Sequence, residues 1–138
     1  MLIPSKNKNE KIVMGLLSYT LDHSTTEEQR KLLEEYRNDP DKEIYLYKDD
    51  QSDNFVGIVT IERNHLDNES EDDIETILVP RIAVIPSFRN EGVGFKIYSN
   101  LRKLYPNATL IGSIKTSDLL AKWSKKYHEA ASEVEEEL

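Results

Sequence analysis

The chain is 138 residues long, enough for one domain with a sizeable core, and it contains no cysteine, which excludes disulfides, thiolate metal sites and a cysteine nucleophile. Its formal net charge of −8 makes nucleic acid a poor partner, because a phosphate backbone needs a basic face. Hydrophobic residues make up 38% and charged residues 32%, yet the apolar residues fall in periodic segments, which argues against wholesale disorder.

Met1 to Pro4 reads as a short first strand. Over residues 8–20, Ile12 with Leu16 and Val13 with Leu17 recur one turn apart, which predicts a helix. Lys6, Lys8 and Lys11 precede this run as they would in a leader. The run is short, however, polar residues follow it, and it lacks a small-residue cleavage site, so it reads as a helix. No stretch is long enough to span a membrane, and a cytoplasmic location is expected. Thr25 followed by Glu28 fits a capping box opening a second helix, with Leu32, Leu33 and Tyr36 on its apolar side and Asn38 to Asp41 ending it.

Ile44 to Tyr47 and Phe55 to Ile61 read as two strands of a hairpin around the polar turn 49–54. The acids at Asp49 and Asp53 resemble a calcium loop, but Asn54 stands where that loop needs glycine and Thr60 where it needs glutamate, so calcium is rejected. Residues 62–73 form an acidic loop. Six acids lie between Asp67 and Glu75, and four between Glu133 and Glu137. They read as a solvated loop and a frayed tail, with a funnel for a cationic amine as the sharper alternative.

Ile74 to Ile85 suits a central strand, interrupted by Pro80, which implies a bulge or a local parting of neighbouring strands. Residues 93–104 form a helix with Ile97, Leu101 and Leu104 on one stripe, residues 108–111 a strand, and residues 117–128 a last helix with Leu120, Trp123 and Tyr127 inward. The order β-α-α-β-β-β-α-β-α predicts an α/β (α+β) fold with a mixed sheet, its last two strands parallel across a helical crossover. One domain spans residues 1–130, and an acidic tail spans 131–138. His23, His65 and His128 have no second histidine at ligand spacing, so no metal is assigned.

The strand-to-helix junction Arg89-Asn90-Glu91-Gly92-Val93-Gly94 holds two of the five glycines. Free amides at the helix start, the helix dipole, glycines that let a ligand approach, and Arg89 suit a diphosphate. Close helix–sheet packing is the competing use of the same glycines. With its context, Val84-x-Pro86-x-x-Arg89-x-x-Gly92-x-Gly94 resembles the acetyl-coenzyme A motif of the GCN5-related N-acetyltransferase superfamily, and the element order is similar over about residues 1–128.

The resemblance implies direct transfer of acetyl from acetyl-CoA to a primary amine, on a small molecule or a protein. The pantetheine arm would lie along Ile82, Ala83 and Val84, the diphosphate on Arg89, Asn90, Glu91, Gly92, Val93 and Gly94, and an oxyanion on an amide near Val84. The family's base and acid positions fall on Leu78 and Ser124. Glu75 and Tyr127 are the nearest candidates for those roles, with ordered water as the other relay. Lys96 and Arg102 are candidates for a 3′-phosphate. The family's usual C-terminal strands are missing, so a homodimer or a large acceptor is expected to complete the acceptor wall. A non-catalytic acyl-CoA sensor on the same fold is the rival reading.

Overall fold

The structure is a computed structural model that describes residues 1–20, 25–64 and 75–137, with side chains through residue 131. Five strands form one sheet in chain order: β1 (Leu2–Pro4), β2 (Lys42–Lys48), β3 (Phe55–Asn64), β4 (Thr76–Val84) and β5 (Thr109–Gly112). Neighbours are antiparallel from β1 to β4, and β5 runs parallel to β4 across the expected crossover. Helices α1 (Glu10–Leu17) and α2 (Thr26–Asn38) cover one face, and α3 (Val93–Leu104) and α4 (Ser117–Glu137) the other. This is the mixed α/β architecture predicted from the element order.

Because both faces are covered, the strands are apolar on both sides. In β2, Ile44 and Leu46 join Val13, Leu17 and Leu33 on the first face, while Tyr45 and Tyr47 join Ile97 and Leu101 on the second. The α2 start shows one half of the predicted capping box, Thr25 Oγ1 accepting from the Glu28 amide at 3.1 Å, without a return bond from the Glu28 carboxylate to the Thr25 amide among the described residues. In the β2–β3 turn, Asp49 is committed to Ser52, accepting from its amide at 3.1 Å and its hydroxyl at 2.6 Å.

Gly57 sets how closely α3 approaches the sheet. A Cβ there would stand 2.9 Å from Ile97 Cδ1 and 3.2 Å from the Ala83 carbonyl, so the missing side chain lets Ile97 reach the strand. The last helix is longer than its apolar stripe predicts and runs on to Glu137, past residue 131, where a tail was expected. Ala130, Ala131 and the glutamates that follow are strong helix formers and need no buried face to continue a helix already begun. The acidic loop around Asp67, with His65, and the segment holding His23 lie outside the described residues. No described helix is long and apolar enough to cross a membrane.

Candidate active site

The site is built where β4 and β5 part. Pairing between them runs from Thr76↔Thr109 to Val79↔Gly112 and stops there. On the other side of β4 the register with β3 changes between Leu78↔Glu62 and Arg81↔Thr60. Two residues of β4, Val79 and Pro80, therefore stand opposite Ile61 alone, which is a bulge. Pro80 predicted one or the other, and the strand shows both.

The bulge resets which groups point where. The Ile85 amide donates to Val56 O at 2.9 Å, so this residue faces β3. Alternation along the strand then turns the backbone groups of Ile82 and Val84 away from β3, to the edge that β5 has left. The Val84 carbonyl on that edge accepts from Arg89 Nε at 3.0 Å. At the fork, Thr116 Oγ1 donates to Val79 O at 2.6 Å and Ser113 Oγ to Pro80 O at 3.1 Å.

Beyond Val84 the chain makes a short 3-10 turn at Pro86–Phe88 and enters α3 through two left-handed residues, Asn90 (φ 67°) and Gly92 (φ 78°). The first α3 amide with a backbone acceptor outside regular helix pairing is that of Lys96, which donates to Gly92 O at 3.1 Å. The amides of residues 90–95 have no acceptor among the described residues. They form a concave set of donors at a helix start, a geometry that binds anions.

The cleft above this edge and turn encloses about 470 Å³. Its far wall is α4, through Leu119, Lys122, Trp123 and Lys126. Lys126 Nζ lies 4.3 Å from the centre of the Phe95 ring. Arg89, Lys122 and Lys126 give the cleft three cations, and no aspartate or glutamate lines it among the described residues. The two glycines have different jobs. A Cβ on Gly92 would meet nothing within 4 Å, and it is the positive φ that requires glycine there. A Cβ on Gly94 would stand 2.5 Å from Trp123 Cζ2, so Gly94 lets α4 close against α3.

A relative from Bacillus methanolicus, an uncharacterized N-acetyltransferase in the lysA 3′ region, is 30% identical over 122 residues, covering 88% of this chain and 93% of that protein. The chain belongs to the GCN5-related N-acetyltransferase family. No family model matches it. Solved acetyltransferases share the fold at low identity. A possible acetyltransferase from Clostridium difficile has a TM-score of 0.70 at 9% identity, covering 94% of this chain and 88% of that one. The aminoglycoside 6′-N-acetyltransferase AAC(6′)-Iy, in complex with a CoA-linked bisubstrate analogue, has a TM-score of 0.66 at 16% identity, covering 94% and 87%.

In this acetyltransferase the residues named for the donor, Ile82 to Val84 and Arg89 to Gly94, lie along one side of one cleft, except that Glu91 does not line it. The two candidates for proton transfer do not join them. Glu75 precedes β4, and its carboxylate lies 3.6 Å from Arg63 Nε. Ile82 lies seven residue steps further on, about 23 Å at about 3.3 Å per residue. Its neighbourhood is a hydrogen-bonded cluster in which Arg63 donates to the Tyr105 hydroxyl at 2.9 Å and Tyr105 bonds to Tyr45. Burial, followed by the bond to Tyr105, holds the Tyr45 hydroxyl well above the usual phenol range.

Tyr127 packs edge-on against Tyr98, ring centres 6.1 Å apart, on the core side of α4. Arg102, a candidate for a 3′-phosphate, instead folds back and donates to Ala108 O at 2.6 Å, closing the α3–β5 turn. Lys96 is exposed and does not line the cleft. Lys122 and Lys126 were missed by the sequence reasoning. Their signal is the second stripe of α4, Leu119, Lys122, Trp123 and Lys126, at positions i, i+3, i+4 and i+7.

Proposed function

We propose that the protein transfers an acetyl group from acetyl-CoA directly to a primary amine. One observation carries this reading: the vacated edge of β4 at Ile82–Val84 runs directly into the unpaired amides of residues 90 and 92–95, within one cleft lined by Arg89, Lys122 and Lys126. An extended amide chain such as pantetheine suits the edge, because the Ile82 N–H and C=O and the Val84 N–H can pair with it as a neighbouring strand would. A diphosphate suits the turn, because the amides supply aimed donors and the three side chains supply charge.

In the reaction the amine nitrogen bonds to the thioester carbonyl carbon, the carbon–sulfur bond breaks, and CoA leaves as the thiol. One proton is passed to solvent from the ammonium form of the acceptor. The chain contributes mainly by holding the donor extended and fixed. A β4 amide near Val84 faces charge developing on the thioester oxygen. Proton transfer is assigned to water, since Glu75 and Tyr127 are bound elsewhere and no described carboxylate lines the cleft. That same lack favours a second reading, an acyl-CoA-binding protein without transfer activity.

The segments Met1-Leu2-Ile3 and Lys11 to Ser18 resemble RibT, the small acetyltransferase-like protein of riboflavin-biosynthesis operons. We therefore include a cytoplasmic role linked to riboflavin synthesis in the proposal, for gene neighbourhood to test. Those segments form β1 and α1 and carry none of the cleft.

Titration calorimetry with acetyl-CoA tests the donor site. Binding in the micromolar range is expected, and Gly92→Trp should abolish it, because the indole has open space over the turn amides. Unchanged affinity in a folded Gly92→Trp protein would sink the assignment. Thiol release across a panel of amines then separates the enzyme from the non-catalytic reading.

A further inference from the structure

A second cleft opens on the other face of the sheet at the same fork. It encloses about 200 Å³ and is lined by Tyr19 and Thr20 after α1, Pro80 and Arg81 of β4, and Lys115 and Thr116 of the β5–α4 turn. Ile82 and Leu119 line both clefts, so the gap between the strands is their shared wall. Arg81 stands on the α1–α2 side, where its Nη1 lies 3.4 Å from the Tyr36 hydroxyl. The donor cleft lies on the α3–α4 side.

The charge in this second cleft is one-sided. Arg81 and Lys115 are its charged residues, and no aspartate or glutamate lines it among the described residues. Neither cation has a described carboxylate partner in ion-pair range. Among the described residues, then, this lining gathers two cations and no acid in a chain of net charge −8, and the Glu62 carboxylate stands behind the Tyr36 hydroxyl, which donates to it at 3.2 Å. The hydroxyl of Thr116 is already committed to Val79 O, that of Thr20 donates to Leu17 O at 2.8 Å, and one Arg81 N–H goes to the Tyr36 hydroxyl, so the remaining guanidinium N–H groups and the ammonium are the cleft's charged donors.

We infer that this cleft holds the acceptor, and that the acceptor amine carries an oxyanion, a carboxylate or a phosphate, held by Arg81 and Lys115. The inference rests on reading the first cleft as the donor site. A guanidinium fork pairs an oxyanion through two parallel bonds, and a lysine adds a point charge. Anchored there, the acceptor can direct its amine past Ile82 into the gap. A polyamine or aminoglycoside would bring further positive charge against two cations and is disfavoured.

The test uses the full chain and acetyl-CoA-dependent thiol release. The probes are β-alanine and O-phosphoethanolamine, their neutral counterparts β-alaninamide and ethanolamine, and spermidine. At least one oxyanion amine is expected to exceed its neutral counterpart about tenfold or more in kcat/KM, and which of the two does so tells carboxylate from phosphate. Arg81→Gln should remove most of that advantage, and Arg81→Lys should keep part of it. Lys115 is exposed, so Lys115→Gln should fold normally and lower the advantage independently.

If no probe turns over, the same preference is read as a rise in the melting temperature of the CoA-saturated protein. An oxyanion amine should raise it in wild type but not in Arg81→Gln. Neutral amines or spermidine performing as well as the oxyanion amines would overturn the inference, as would an advantage that survives both substitutions. Donor heat without any oxyanion preference overturns this inference alone. Absence of acetyl-CoA heat overturns the donor reading and this inference with it.

Discussion

Gly94→Ala should destabilise the protein through Trp123 alone. The added methyl would stand 2.5 Å from Trp123 Cζ2 and 2.9 Å from Cη2, against an ordinary carbon–carbon contact of about 3.5–4.0 Å. The ring must therefore move by about 1 Å. It is a rigid, half-buried group packed toward Tyr98, ring centres 6.5 Å apart, so it cannot yield as a flexible side-chain end would. Overpacking of this kind costs about 1–3 kcal/mol. Replacing glycine by alanine inside a helix returns about 0.5–1 kcal/mol, and less at the second residue of α3.

A net loss of roughly 1–2 kcal/mol remains, which lowers the melting temperature by about 3–8 °C in a domain of this size. Trp123 is the sole tryptophan, so its fluorescence reports the displaced ring directly, and emission should shift to the red as the ring is pushed outward. Gly92→Ala is the control. It meets nothing within 4 Å and carries only the left-handed backbone penalty of about 1 kcal/mol, so stability should fall while emission stays put. A Gly94→Ala protein that melts at or above the wild-type temperature would refute the reasoning. So would a Gly92→Ala protein with an equal emission shift.

Lys122→Ala and Lys126→Ala should each weaken acetyl-CoA binding by about three- to tenfold at low salt and less at high salt, because both are exposed and screened; calorimetry at two ionic strengths checks this. Thr116→Val should cost about 1–3 kcal/mol in denaturant unfolding, since it strips partners from the Val79 carbonyl and the Ser113 amide, while Thr116→Ser should recover most of it. Tyr45 and Tyr36 have hydroxyl pKa values raised first by burial, above the unfolded value of about 10. Their folded forms hold the proton more tightly, so this contribution is complete below about pH 10 and is lost as pH rises toward the folded values. Stability measured by denaturant should fall on that alkaline limb, and Tyr45→Phe should flatten it.

The frame was legible because each element carries its own periodicity. The bounds of α3, Val93 and Leu104, fall where the glycine turn and the end of the apolar stripe put them. Pro80 announced a bulge or a parting of strands, and β4 has both. What the sequence hid depends on a second element arriving. Gly94 looks like ligand clearance until α4 brings Trp123 against it. Arg102 looks like a free surface cation until the chain turns back and offers the Ala108 carbonyl. Glu75 looks near the chemistry in residue number, but an extended strand converts seven residue steps into about 23 Å. Lys122 and Lys126 come from a helix some thirty residues after the motif and meet it only in space.

The fork itself is held by more than a proline. Pro80 removes one donor from the edge, which alone would loosen a single ladder bond. The separation is fixed by the hydroxyls of Thr116 and Ser113, which occupy the carbonyls of Val79 and Pro80 and so turn the chain away after Gly112. A Cβ on Gly112 would stand 2.6 Å from both the Cα and the N of Ser117, so that departure is as tight as a backbone allows. Carbonyls at the fork are thus satisfied within the chain, while the outward N–H and C=O of Ile82 and the N–H of Val84 lack a strand partner. The boundary between satisfied and unsatisfied groups defines where an extended ligand can add to the sheet. Arg89 closes the other end of that segment by bonding the Val84 carbonyl from the turn. The same side chain therefore fixes the turn of residues 89–94 relative to the strand edge. It sets the spacing between the open strand edge and the unpaired amides of the turn.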